Sequence, residues 1–215
     1  MNYSFNKISR REFFKRTGVV SGGLILAHSL PALGKTSEPI VKSAELNAYV
    51  VIQEDGKILI YSGAPEMGQG IKTSLPMIVA EELGAAWEDV IVKQTPEVNV
   101  EKYGRQSTGG SYTLYRNWNL MREMGATARE MLLGAGALLM EIPKSELEAI
   151  DSQVRHQLSG RSIPFSELAS VAQKQPIPEK ESLTFKPRED YRILGTSKSQ
   201  VDSLEIVTGV GDYGI

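Results

Sequence analysis

Apolar residues recur at two spacings along this chain, and each spacing predicts its own element. Two β-rich runs, Ala48-Tyr-Val-Val-Ile-Gln53 and Lys57-Ile-Leu-Ile-Tyr61, flank Glu54-Asp55-Gly56. Asp-Gly between such runs predicts a hairpin closed by a type I′ turn, in which both central residues need φ > 0. Residues 73–83 then switch to helical spacing, with Leu75, Ile78, Val79 and Leu83 on one face. Thr73 or Ser74 is placed to cap this helix, Pro76 to fall in its first turn, and Gly84 to end it. Val90–Gln94 reads as a third strand.

The longest pattern is a helix from Tyr112 to Met140. Trp118, Met121, Gly125, Ala128, Leu132, Ala135 and Leu139 make one stripe, and its small residues predict close approach of another element. From Pro143 the pattern weakens. Ser145–Ile150 reads as a short helix, Gln153–His156 as a strand and Pro164–Ala172 as a helix. Gln175-Pro-Ile-Pro178 and Lys186-Pro187 mark an extended stretch, and Val207–Ile215 reads as a strand. The expected fold is α+β. A small sheet, the hairpin plus the third strand, is covered on one face by two helices, and its other face is apolar. A polar linker (35–45) precedes this core (46–142), and an irregular connector (143–215) follows it.

Charge adds a leader. In residues 1–34, Lys7, Arg10, Arg11, Lys15 and Arg16 stand against Glu12 alone. Ser9-Arg10-Arg11-Glu12-Phe13-Phe14-Lys15 fits the bacterial twin-arginine signal pattern, and a Gly-diluted apolar run, Thr17 to Leu33, follows it. That run is short and soft for a membrane span. Ala32-Leu33-Gly34 offers the small residues of a cleavage site. The expectation is export to the periplasm through the twin-arginine translocase, with membrane association left open. That route carries folded proteins, which directs attention to a cofactor site.

Composition narrows the chemistry. The 215 residues hold 24 Lys+Arg, 26 Asp+Glu, two His and no Cys. Near-balance argues against a nucleic-acid partner. Zero Cys excludes disulfides, Cys-ligated metals and Cys nucleophiles, and two His exclude a multi-His metal site. No metal ligand is predicted. Two Gly-rich loops each open a helix: Glu66-Met67-Gly68-Gln69-Gly70 and Thr108-Gly109-Gly110-Ser111. Glycine lets backbone approach a ligand closely, and a helix N-terminus offers free N–H groups to an anionic one. Neither loop has the spacing of a nucleotide-binding motif. Glu66 is a candidate general base with no visible partner. Glu81 reads as solvated, Glu82 as near the apolar face, His156 as a surface residue, and Trp87 and Trp118 as core.

These segments run in a known order. Glu66–Gly70, Leu75–Gly84, Tyr103-Gly104, Gln106, Thr108–Ser111, Trp118, Arg122, Gly125-Ala126 and Ala128-Arg129 resemble the large, molybdopterin-binding subunit of the xanthine dehydrogenase/aldehyde oxidase family. The nearest likeness is the branch that holds the isoquinoline 1-oxidoreductase beta subunit. Ser159–Ser162, Phe165–Leu168, Phe185–Pro187 and Arg192–Gly195 extend it. The resemblance implies that Gln69 lies beside molybdenum as the catalytic contact. It also implies that Gly68, Gly70, Thr108, Gly109, Gly110 and Ser111 line the molybdenum cofactor. It further implies hydroxylation of aldehydes or N-heterocycles with oxygen from water, with a small iron–sulfur subunit and a cytochrome as partners. The family's chain is much longer. Val207–Ile215 resembles the opening of its next domain, and the segment bearing its catalytic glutamate has no counterpart here. The expectation is an N-terminal fragment, inactive without a chain that supplies the missing domains. The alternative is a non-catalytic exported remnant, or half of a split subunit acting as an interaction module.

Overall fold

The computed structural model describes residues 43–96 and 98–211. The export-signal reading of residues 1–34 lies outside the described residues, as does most of the 35–45 linker. Strands β1 (Ser43–Glu45), β2 (Val50–Gln53), β3 (Ile58–Ser62) and β4 (Val90–Gln94) form one sheet in that order. The expected linker therefore ends in a strand, and the hairpin and third strand share a sheet as expected. β1, β2 and β3 are antiparallel, while β3 and β4 run parallel, joined by the crossover helix α1 (Ile71–Leu83).

The turn at Asp55-Gly56 differs from expectation. Gly56 has φ +88°, but Asp55 is not among the residues with positive φ. Gly56 N–H donates to Gln53 O (3.1 Å) and Gln53 N–H to Lys57 O (2.9 Å). This is a three-residue loop closing on one left-handed glycine, the next most common hairpin solution. The paired positive φ values occur instead at Asp151 (+50°) and Ser152 (+60°), with no glycine. Tertiary bonds hold them there. Ser152 donates its N–H to Gly84 O (3.1 Å), accepts from Ala86 N–H at its hydroxyl (2.9 Å) and from Phe165 N–H at its carbonyl (2.9 Å).

That second turn belongs to a hairpin in the expected connector. β5 (Leu147–Ile150), β6 (Gln153–His156) and β7 (Ser162–Pro164) form a three-stranded antiparallel sheet, followed by α4 (Phe165–Ala172), numbered after α2 (Val100–Tyr103) and α3 (Thr113–Met140). Residues 145–150 are thus mostly strand, not helix. The alternation of Leu147 and Ala149 inward with Glu148 outward is a strand's pattern too short to register against helix spacing. The last element, α5 (Ser203–Thr208), is a helix where a strand was expected to begin; residues 212–215 lie outside the described ones.

Ile58, Ile60, Val50 and Ile52 face the helices and pack with Leu75, Ile78, Val79 and Leu83 of α1. α3 packs along α1, and α4 lies over β1 and β2. The helical cover therefore includes a third helix. The opposite face is mixed rather than apolar as expected: Val51, Leu59 and Ile91 stand in register with Glu45, and Ser43 paired with Gln53 and Tyr61 paired with Lys93 share that face. Gly125 is where α3 meets α1 most closely. A Cβ there would stand 2.5 Å from Val79 O and 2.8 Å from Glu82 Cβ, so the small-residue stripe does admit a close neighbour. α1 starts two residues before the expected Thr73, which puts Pro76 in its second turn, where Lys72 O loses an intrahelical donor. Among the described residues no helix is long and apolar enough to cross a membrane.

Candidate functional site

The loop before α1 is built around a carboxylate. Glu66 Oε1 accepts N–H groups of Gly68 (2.7 Å) and Gly70 (3.0 Å), and Oε2 that of Lys72 (2.9 Å). Burial would push this carboxyl's pKa up. The N–H groups of Lys72, Gly70, Gly68 and Met67 outweigh that and hold it below the usual carboxylate range. Glu66 is thus an N-terminal cap with its lone pairs engaged, not a general base. It also takes the N–H groups that sequence reasoning left open for an anionic ligand. Ser74, an expected cap, instead donates its hydroxyl back to Gly70 O (2.7 Å).

Two left-handed glycines, Gly68 (φ +96°) and Gly70 (φ +80°), fold the loop so tightly that Gln69 spans it. Gln69 Oε1 accepts from Met67 N–H (2.7 Å), and Nε2 donates to Pro65 O (3.2 Å). Its amide is exposed at the tip. The same Pro65 carbonyl accepts from Thr108 Oγ1 (2.8 Å). One acceptor therefore joins the two Gly-rich loops, 43 residues apart in sequence.

The second loop is more open. Gly110 (φ +61°) and Ser111 (φ +57°) are successive left-handed residues ahead of α3. Among the described residues, the N–H groups of Gly109, Gly110 and Ser111 have no partner. Where a Cβ on Gly68 or Gly109 would stand, no other atom lies within 4 Å. Beneath the loop, Tyr49 OH donates to Tyr103 O, and Gln106 Nε2 donates to Thr95 Oγ1 (2.7 Å). All seven expected site residues thus fall on two adjoining loops with one exposed surface.

At the other end of α1, Glu82 lies on the apolar face as expected, whereas Glu81 is buried and not solvated. Glu81 and Glu82 are both 1% exposed. Glu81 Oε2 accepts three successive N–H groups, from Arg192 (2.9 Å), Ile193 (2.6 Å) and Leu194 (3.0 Å). Glu82 accepts from Arg122 Nε (2.6 Å), Arg129 Nη1 (3.2 Å) and Lys186 N–H (3.0 Å). Arg129 also donates to Glu82 O and to Thr184 O. Burial pushes the Lys186 ammonium's pKa down despite Glu81 beside it, 3.6 Å away. Together these groups fasten residues 184–194 across α1 and α3 as a strap. Adjacent glutamates late in a helix were the only sequence signal, and their partners lie 40 to 113 residues away.

His156 is buried rather than on the surface. Its Nδ1 lies 2.7 Å from Ser159 Oγ and its Nε2 3.3 Å from Glu146 Oε2. Trp87 and Trp118 are partly buried against the core. No group of His, Asp and Glu suited to a metal ion occurs among the described residues.

Residues 10–203 match the molybdopterin cofactor-binding domain family. The chain belongs to that family. It is 28% identical to the isoquinoline 1-oxidoreductase beta subunit, from Brevundimonas diminuta, over 97% of this chain and 32% of the relative. It is 32% identical to a nicotinate dehydrogenase subunit of Pseudomonas putida, over 99% of this chain and 18% of the relative. Among solved structures, quinoline 2-oxidoreductase from Pseudomonas putida 86 aligns with a TM-score of 0.46 at 20% identity, covering 61% of this chain and 17% of that one. The chain spans about a third or less of the curated relatives it matches.

The two loops fit one side of such a cofactor. A molybdopterin is large, polar and phosphate-bearing, and it needs donors and unobstructed backbone. The Gly109–Ser111 N–H groups, the open space over Gly68 and Gly109, and the exposed Gln69 amide supply these. The loop at Gly68–Gly70 contributes shape and the Gln69 side chain, since Glu66 holds its N–H groups.

Proposed function

We propose that this chain is the N-terminal part of an exported molybdenum hydroxylase subunit acting on N-heterocycles. The observation that carries the reading is the joining of both Gly-rich loops at Pro65 O, which makes one binding surface of residues far apart in sequence. When bound, the cofactor supplies the two-electron chemistry that replaces an activated C–H bond with C–OH, using oxygen from water. The chain's own part is to bind and orient. Gln69 would present its amide to the bound cofactor, and Gly109, Gly110 and Ser111 would donate backbone N–H groups to its phosphate oxygens. Glu66 keeps the Gln69 loop in shape. The 215 residues hold no Cys, so the iron–sulfur clusters that accept electrons lie outside this stretch, and we assign them to a separate small subunit as the family resemblance implies. The substrate class follows the names of the isoquinoline and nicotinate relatives; aldehydes are the second reading, favoured by a membrane-bound aldehyde dehydrogenase of Gluconacetobacter polyoxogenes, 27% identical over 97% of this chain.

One wall leaves most of a large cofactor in water, so contacts made by this chain alone do not offset the freedom lost on binding. The isolated chain therefore neither retains molybdenum nor turns over. A chimera tests this. Residues 43–211 replace the aligned segment of the Brevundimonas relative, and molybdenum content and heterocycle hydroxylation are measured. Retention of metal and activity, both lost with Gln69→Ala, is the expected result. A folded chimera that holds no molybdenum overturns the reading, and activity on aldehydes alone overturns the substrate class. Export is tested separately. A folded reporter fused to residues 1–34 should stay in the cytoplasm when Arg10 and Arg11 are replaced by Lys; unchanged export removes the twin-arginine reading.

A further inference from the structure

The turn between β6 and β7 lines up a hydroxyl, an imidazole and a carboxylate. His156 N–H donates to Arg161 O (2.9 Å) and Gly160 N–H to His156 O (3.0 Å), so the chain folds back over residues 157–160. That fold sets Ser159 Oγ 2.7 Å from His156 Nδ1. On the other side of the ring, Nε2 lies 3.3 Å from Oε2 of Glu146, the last residue before β5. None of the three residues belongs to the Gly-rich loops or to the strap's anchor.

The hydrogens follow from the partners. An ionised carboxylate only accepts, so Nε2 carries the ring hydrogen and donates it to Glu146. In the neutral ring Nδ1 is then a free lone pair, and Ser159 donates its Oγ–H to it. Burial divides the roles: His156 is 8% exposed, whereas Ser159 lies at the surface. A base held inside the fold, oriented by a carboxylate and bonded to an exposed hydroxyl, is the arrangement that turns serine into a nucleophile. Donors for a developing oxyanion stand beside it. Ser159 N–H has no acceptor among the described residues, and Arg161 N–H approaches Ser159 Oγ at 3.4 Å. Leu158, next in the turn, offers an exposed apolar side chain.

We infer that Ser159 is the nucleophile of an acyl-transfer site that takes short, uncharged acyl groups from esters with a good leaving group. Ser159 Oγ bonds to the acyl carbon, the bond from that carbon to the leaving oxygen breaks, and His156 Nδ1 carries the serine proton to that oxygen. Water then attacks the acyl-serine. His156 takes the water's proton and returns it to Oγ as the carboxylic acid departs. Glu146 is a positioning residue that fixes the ring's tautomer. No electrons change hands, so the site stands apart from the hydroxylase reading and does not rest on it.

Mixing the purified chain with p-nitrophenyl acetate tests this, with nitrophenolate release and acetyl labelling followed together. A burst of about one nitrophenolate per chain is expected, with the acetyl group mapped to Ser159 by peptide mass spectrometry. Ser159→Ala should remove the burst, and Ser170→Ala, at an exposed position on α4, should keep it. His156→Gln should slow acylation about 100-fold or more. Glu146→Gln, the second variant should His156→Gln fail to fold, should slow it about tenfold at unchanged burst amplitude, since water takes over part of a half-exposed carboxylate's role. A brace for the turn alone would lower the amplitude through unfolding and leave the rate of the folded chain as it was. Absence of a burst, an acetyl group on lysine instead of Ser159, or a rate indifferent to Glu146→Gln each overturns the inference, and Ser159 then only closes its turn.

Discussion

The two ends of α1 carry glutamates in opposite settings. At the C-terminal end Glu81 and Glu82 are buried, and each oxygen has a cation or an N–H group. At the N-terminal end Glu66 and Gln69 hold a loop that solvent reaches from outside. The closed end is made of contacts between residues far apart in sequence, and it fixes α1, α3 and the strap as one body. The open end is made mostly of bonds within a few residues, with the Thr108–Pro65 bond its link across 43 residues, and it presents donors outward. A binding surface needs both: a rigid base, and exposed groups whose polar atoms water satisfies until a ligand replaces it.

Breaking the closed end has the largest expected effect. Glu82→Ala strips the counter-charge from Arg122 and Arg129 in a buried setting and should cost about 3–5 kcal/mol, read as a lower urea midpoint at constant slope. A loss below about 1 kcal/mol would make this anchor a surface ion pair in effect and remove the contrast. Gly84→Ala attacks the same end through shape. Gly84 has φ +81°, and an added Cβ would stand 2.2 Å from Ala149 O. Backbone strain and overpacking together predict a loss of about 2–4 kcal/mol.

How far the sequence reveals each end follows from the range of its contacts. The helix, the hairpin and the β4 strand obey local periodicity and were readable. The placing of both Gly loops ahead of helices was readable from local chemistry, and the part given to Gln69 rests on resemblance. The Glu81–Glu82 anchor was not. Nothing within ten residues explains a carboxylate on an apolar face, and the three N–H groups it accepts belong to residues 192–194. Of the second sheet the Gln153–His156 strand was readable, but its two partners were missed, because strands of three and four residues carry too few alternations to outweigh helical spacing. The I′-like conformation was expected at Asp55-Gly56 and found at Asp151-Ser152, since tertiary hydrogen bonds to Gly84, Ala86 and Phe165 replaced the glycine preference. Glu66 lay in the right motif with the wrong role. A carboxylate two to six residues ahead of the N–H groups it accepts is a cap, and that spacing was visible.

Tyr49 joins the rigid base to the open end, its hydroxyl buried on Tyr103 O just before the second loop. Tyr49→Phe should cost about 1–2 kcal/mol, because Tyr103 O is left without a donor. Burial chiefly, with Tyr103 beside it, raises the Tyr49 pKa from 10.0 to about 12. The unfolded chain therefore ionises this phenol first as the solution turns alkaline. Stability from this group is complete below pH 10 and is lost as pH rises toward 12. Urea midpoints across that window should fall more steeply for the native chain than for Tyr49→Phe.

The smallest effects belong to the open end, and they sharpen the comparison most. Glu66→Gln removes the charge and one of the two acceptor oxygens, with an expected cost of about 0.5–1 kcal/mol, since water screens a partly exposed group and can take up the N–H left over. The Glu66 pKa lies below its unfolded value, so its contribution is present above the ordinary carboxylate range and is lost as pH falls through the lower, folded value. Hydrogen-exchange protection of Gly68, Gly70 and Lys72 should drop over that acid range in the native chain and be low throughout in the variant. Gln69→Ala should change stability least of all, within about 0.5 kcal/mol. The groups it abandons, Met67 N–H and Pro65 O, are at the surface, where water takes up the first, and Thr108 Oγ1 still donates to the second. A side chain that contributes so little to folding yet is held by two hydrogen bonds at the tip of a glycine turn is oriented for contact with something outside the chain. Thermal unfolding decides this: a Gln69→Ala chain that loses more than about 1 kcal/mol would make the amide a structural brace, and the open end would then be a second anchor rather than a binding surface.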